Sequence, residues 1–153
     1  MTRDLFSFAQ SILRNQPFSV RLGTALVTFT RGHAELALPI IDELRQQHGF
    51  VHGGVISYLA DNALTFAGGS VLGDSVTVEY KVNYARPAKG EGRLLAIADV
   101  VSYGRSQAVV RCDVFLEPLV LEPLAGERVL CAAAQGTVRR AEAFGARPDA
   151  PTP

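Results

Sequence analysis

His52-Gly53-Gly54, with Asp61 following on the same apolar run, is where residue type and spacing first point to chemistry. From His52 onward, Val55, Ile56, Leu59, Ala60, Ala63, Leu64 and Ala67 recur at helical spacing, so the glycine pair stands at a helix start. The first N–H groups of a helix have no partner inside it and lie at the positive end of its dipole. Glycine leaves those groups uncovered, so a ligand oxygen can approach them. Such a site polarises a carbonyl and holds the oxyanion of an acyl-transfer intermediate. Asp61 adds a carboxylate able to attack a carbonyl or to deprotonate water. Each signal is weak alone. Glycine pairs at helix starts are commonly turns, a helical Asp is commonly solvated, and a His before a helix commonly caps it.

The spacing sharpens the reading. Gly53 and Asp61 lie eight residues apart, which is ~12 Å along one helix. They cannot act on one small group within a single chain. Two copies of the helix running antiparallel across a two-fold axis would bring the start of one to the middle of the other, and the helix's small residues permit that approach. A homodimer or a larger homo-oligomer, up to a tetramer, is therefore expected.

The elements that must position these residues follow from periodicity. Asp4 to Asn15 has amphipathic helical spacing, and Pro17 is expected to end it. Thr24–Thr30 and Ala34–Pro39 read as strands joined at Arg31-Gly32-His33. Residues Ile40–Val51 read as a polar loop, and Gly68-Gly69 as the stop of the central helix. Val76, Val78, Tyr80, Val82 and Tyr84 alternate with Thr77, Glu79, Lys81 and Asn83, a strand closed by Arg86-Pro87. Leu94–Tyr103, Ser106–Leu116 and Val129–Val138 continue as strands, with a turn at Gly104 and a loop through Pro118, Pro123 and Gly126. Consecutive strands with no helix between them cannot form parallel crossovers. The expected architecture is α+β: an antiparallel sheet whose concave face wraps a long central helix.

At 153 residues the chain suits one domain, expected over 1–145, with a flexible proline-containing tail over 146–153. Net charge is zero, and no basic stripe marks a nucleic-acid surface. No stretch approaches the ~20 apolar residues of a membrane span, and the N-terminus lacks a signal-peptide core. Cys112 and Cys131 sit in apolar runs away from any CxxC pair, so buried, reduced thiols in a cytoplasmic protein are expected. The three histidines show no metal-ligand spacing, and no Gly-x-Ser-x-Gly elbow is present. Neither a metal nor a cofactor is expected.

His52-Gly53-Gly54 with Asp61 resembles the motif of the PaaI-type hotdog thioesterases, in which an Asn and a Gly precede His-Gly-Gly and an Asp follows on the central helix. Val76–Ala88, VTVEYKVNYARPA, is similar to the strand that follows that helix. The likeness covers most of residues 17–139. It implies the hotdog fold, an active site at the dimer interface and acyl-CoA substrates. On this resemblance the Gly53 amide polarises the thioester carbonyl, Asp61 acts as nucleophile or general base, and His52 shapes the pocket. Thr77 orients water near the carboxylate. The turn Gly104-Arg105-Ser106 resembles one that contacts the nucleotide end of CoA, and Gly54 belongs to the same CoA-binding set. Gln46 aligns with the family's Asn and is a departure from the pattern; its amide, one methylene further out, keeps a donor. Arg86 and Lys89, at a strand end, are further candidates for the CoA phosphates.

Two other functions compete. A hydroxyacyl thioester dehydratase or hydratase would use His52 with an acidic partner, but the proline-rich loop of the fatty-acid dehydratases is missing. A non-catalytic acyl-CoA-binding protein would not need the helix carboxylate. The acyl group stays open; Phe18, Phe50, Tyr58 and Phe66 are either pocket or core.

Overall fold

The computed structural model describes residues 2–119 and 127–141, with side chains from residue 5 onward. The expected loop through Pro123 and Gly126 and the tail from residue 146 lie outside the described residues.

Helix α1 (Thr2–Arg14) is followed directly by α2 (Pro17–Leu22). Pro17 therefore does not simply end a helix; it opens the next one at the first helical position, where its missing N–H costs nothing. Strands β1 (Ala25–Thr30) and β2 (His33–Pro39) form a hairpin. A 3-10 turn (Asp42–Leu44) and an Arg45–Val51 bridge organise the segment expected as loop. The central helix α3 (Gly53–Leu72) precedes β3 (Ser75–Tyr84), β4 (Gly92–Tyr103), β5 (Gln107–Pro118) and β6 (Val129–Arg140).

All six strands join one antiparallel sheet in the order β1-β2-β4-β5-β6-β3. Its inner face packs small and branched residues onto α3. Ala34, Ala98, Cys112 and Ala134 form one cross-strand row, and Leu36, Ala96, Val114 and Ala132 the next. All eight are buried, as are Leu59, Ala60, Ala63, Leu64 and Ala67 on the facing helix. This is the hotdog fold: a long helix held in the curve of an antiparallel sheet.

The helix does not stop at Gly68-Gly69, as expected from sequence, but at Gly73, whose N–H returns to the Gly69 carbonyl. Neither Gly68 nor Gly69 has a positive φ. Gly68 is there for packing, since a Cβ on it would stand 2.9 Å from Cβ of Val138. Among the described residues no helix is long and apolar enough to cross a membrane. Both cysteines are buried and unpaired, and burial pushes each thiol's pKa up, which keeps them inert.

Candidate active site

The start of α3 is capped by the residue before it. His52 has extended backbone, and its Nδ1 accepts the Gly54 N–H at 2.9 Å. A backbone N–H can only donate, so neutral His52 carries its proton on Nε2. Gly54 thus spends its amide on His52. Among the described residues the Gly53 N–H has no acceptor. It is the first helical amide, and it borders a cleft of about 280 Å³ lined by Gln46, Phe50, Tyr84 and Arg86 among others.

Gln46 sits in a tight turn. Its N–H reaches the Phe50 carbonyl at 2.8 Å, and its side-chain oxygen accepts from His48 N–H. That orientation leaves the amide NH2 to donate, which is the polarity a thioester carbonyl requires.

Asp61 lies two helical turns further along α3. Its Oδ1 accepts the Thr77 hydroxyl at 2.5 Å, and Thr77 Oγ1 lies 2.7 Å from Thr65 Oγ1. Among the described residues the second Asp61 oxygen carries no hydrogen bond. Strict alternation in β3 would put Thr77 on the face opposite Tyr80, Val82 and Tyr84. A bulge between Thr77 and Glu79 breaks that parity, so Thr77 pairs with buried Val138 and faces inward. Gly136 makes room beside the bulge, because a Cβ there would stand 2.6 Å from Cβ of Tyr80.

Strand β3 therefore runs a polar ladder along α3. Tyr84 donates to the Gly53 carbonyl at 2.8 Å, Tyr80 pairs with Ser57 at 2.7 Å, and Thr77 meets Asp61 and Thr65. Tyr84, Tyr80, Ser57 and Thr65 were missed from sequence. For Thr65 a signal existed: it follows Asp61 by four residues and shares its helix face. Tyr84 had none, since its contact with Gly53 depends on the strand's tertiary placement.

The expected CoA-binding residues do not gather in one place. Arg86 and Lys89 are exposed near the Gly53 end of the sheet. Gly104, Arg105 and Ser106 form the exposed β4–β5 turn at the other end. Tyr84 pairs with Ala132 and Gln107 with Arg139, seven residues apart on β6, which is ~23 Å of strand. One phosphate cannot touch both groups from the same chain.

The model of the thioesterase superfamily matches residues 48–122. A solved thioesterase family protein from Silicibacter pomeroyi is 32% identical, covering 86% of this chain and 93% of its own, with a TM-score of 0.78. The chain belongs to the thioesterase superfamily. Within the superfamily it is PaaI-type: a substituted form of the phenylacetic acid degradation protein PaaI from Thermus thermophilus is 30% identical, covering 82% of this chain and 99% of that chain, with a TM-score of 0.70. A 1,4-dihydroxy-2-naphthoyl-CoA hydrolase from Listeria monocytogenes is 29% identical over 90 residues, 58% of this chain and 73% of that protein. These relatives place the chain among thioester hydrolases.

Proposed function

We propose that this chain hydrolyses acyl-CoA thioesters at a site shared between two copies, with Gly53 from one and Asp61 from the other. One observation carries the proposal. The Gly53 amide is left unpartnered at the helix start, while Asp61, ~12 Å along the same helix, is held by Thr77 with one oxygen uncommitted. The two halves of an acyl-transfer site are both present and both out of reach of one another. Two-fold symmetry brings them together.

Strand β3 supports that assembly. It is one of the two edge strands of the sheet, ten residues long, with Val76, Val78 and Tyr84 exposed. A long exposed edge invites pairing with another chain unless something covers it. A second copy adding its own β3 would cover it and set the two α3 helices side by side.

In such a site the Gly53 N–H and the Gln46 NH2 receive the developing oxyanion. Asp61 takes a proton from water, whose oxygen attacks the carbonyl, or attacks directly and is regenerated by water. The thiolate of CoA leaves and is protonated. Arg86 and Lys89 stand with the Gly53 end, where they meet CoA phosphates. Arg105 belongs with the chain that supplies Asp61, since Thr77 and the β4–β5 turn lie at the same end of the sheet. The Listeria relative, a CoA thioester hydrolase by name, agrees with this chemistry. A cytoplasmic setting fits two free, buried thiols.

A thiol-release assay over a panel of acyl-CoA esters, run beside sedimentation analysis, tests the proposal. Turnover by a dimer or larger species is expected. An active monomer would overturn the shared site. A change in enoyl absorbance without free thiol would indicate a dehydratase, and tight binding without turnover a binding protein.

A further inference from the structure

Building on the acyl-CoA hydrolase assignment, we propose that the acyl group lies in the chamber between α1 and the second half of α3. That chamber admits uncharged hydrophobic acyl groups and disfavours carboxylated ones.

Helix α1 carries more apolar surface than the core uses. Ala9 and Leu13 are buried, but Leu5, Phe8 and Ile12 stay 40%, 63% and 42% exposed. Their spacing puts them on one stripe, and contiguous exposed apolar surface marks a binding site more often than a lone residue does. The stripe lines a cavity of about 670 Å³, a size typical of small-molecule sites. Phe29 of β1 and Phe66 of α3 form its opposite wall, edge to face at 6.1 Å.

The chamber adjoins the residues that hold the carboxylate. Thr65 lines it, and the Thr65 hydroxyl reaches Thr77, which donates to Asp61. Along α3 the chamber begins ~6 Å from Asp61 at Thr65 and extends ~12 Å from it at Gly69. An acetyl group ends before the chamber; a decanoyl chain runs into it.

Charge sets the class. Asp74 is the one ionisable residue among the described residues lining the chamber, and no lysine or arginine lines it. A carboxylated acyl group would lose hydration there, find no cation and meet a carboxylate. A neutral chain loses only its exposure to water.

Gly69 offers a clean test. It lines the chamber, and a Cβ built on it meets nothing within 4 Å, so a larger side chain has room without displacing the core. Thiol release is to be measured for wild type, Gly69→Leu and Phe8→Asp with acetyl-, decanoyl- and succinyl-CoA. Each buried methylene is worth about a fourfold gain, so wild type should favour decanoyl- over acetyl-CoA by at least roughly a hundredfold in kcat/KM. Succinyl-CoA should be the poorest of the three. Gly69→Leu should cut the decanoyl value at least roughly tenfold more than the acetyl value, since only chamber contacts are lost. Equal effects on both substrates, or none, would overturn the proposal. So would a Phe8→Asp protein that changes oligomeric state while keeping its chain-length preference, because the stripe would then be covered by a second copy. If wild type turns over no ester, the hydrolase assignment fails separately. Calorimetry with the S-ethyl and S-decyl thioethers of CoA then decides the chamber. Tighter binding of the decyl thioether, lost in Gly69→Leu, supports it; equal affinities overturn it.

Discussion

Gly53→Pro removes one hydrogen-bond donor and little else. Gly53 is the first residue of α3, and its amide has no acceptor among the described residues. Proline is favoured at that position because the lost N–H was unpaired and its fixed φ suits the helix. The preceding residue, His52, has ψ 132°, within the ψ range that proline favours in its predecessor. The added Cβ would stand 3.2 Å from Tyr84 Cζ, and Tyr84 is 56% exposed, so its ring can yield. The fold should therefore persist, while the oxyanion loses its backbone donor. Loss of one such donor costs roughly 10²–10³ in kcat, about 2.7–4 kcal/mol of transition-state stabilisation. Gly53→Ala is the control: it adds the same Cβ but keeps the N–H, and should retain most activity. The assay is thiol release on wild type and both variants, with circular dichroism melts to establish folding. Co-expression of Gly53→Pro with Asp61→Asn chains goes further. A shared site leaves every mixed dimer one intact centre of two, so random pairing should restore about a quarter of wild-type activity. A folded Gly53→Pro protein with near-normal kcat would refute the oxyanion role. Failure of the mixed chains to recover activity would refute sharing across the interface.

Three further outcomes are expected. Asp61→Asn should lower kcat by roughly 10²–10⁴ yet melt almost as wild type does, because its amide oxygen can still accept the Thr77 hydroxyl; undiminished turnover would remove Asp61 from the chemistry. The adjacent glycines of α3 should respond with opposite signs in urea denaturation. Gly68→Ala overpacks against Val138 and should cost about 1–3 kcal/mol. Gly69→Ala meets open space and should gain about 0.5–1 kcal/mol from helix propensity; equal shifts would contradict the packing described here. The third outcome concerns His33, whose partial burial lowers its pKa but is outweighed by Asp99 at 2.7 Å and Glu35 at 3.4 Å, so the net direction is upward. A raised histidine contributes stability that is whole below its ordinary value of 6.5 and fades as pH climbs through the raised one. Wild type should therefore lose more stability than His33→Gln between about pH 6 and about pH 9; parallel urea midpoints across that range would exclude the linkage.

The long central helix, the strand-rich second half and the antiparallel sheet were legible because each rests on local periodicity. So was the separation of Gly53 from Asp61, since helical rise converts sequence distance directly into length. Element ends were less legible. A glycine pair resembles a helix stop whether it serves backbone conformation or packing, and only Val138 beside Gly68 distinguishes the two. Pro17 likewise reads as a terminator until it is seen to open a second helix at its first position.

The face on which Thr77 lies could not be read from alternation at all. Period two groups it with Glu79, Lys81 and Asn83, on the side away from Tyr80. The bulge at Val78 reverses that, and it forms opposite Thr137 and Val138 of β6, partners more than fifty residues later. Resemblance named Thr77, but the placement of its hydroxyl against Asp61 came from the pairing of distant strands. Tyr84 on Gly53, and the α1 stripe beside Phe66, share that origin. Local pattern determines which residues can be helical or extended and how far apart they fall. Which of them touch depends on strand register and on helix docking, and both are set by the whole core closing at once.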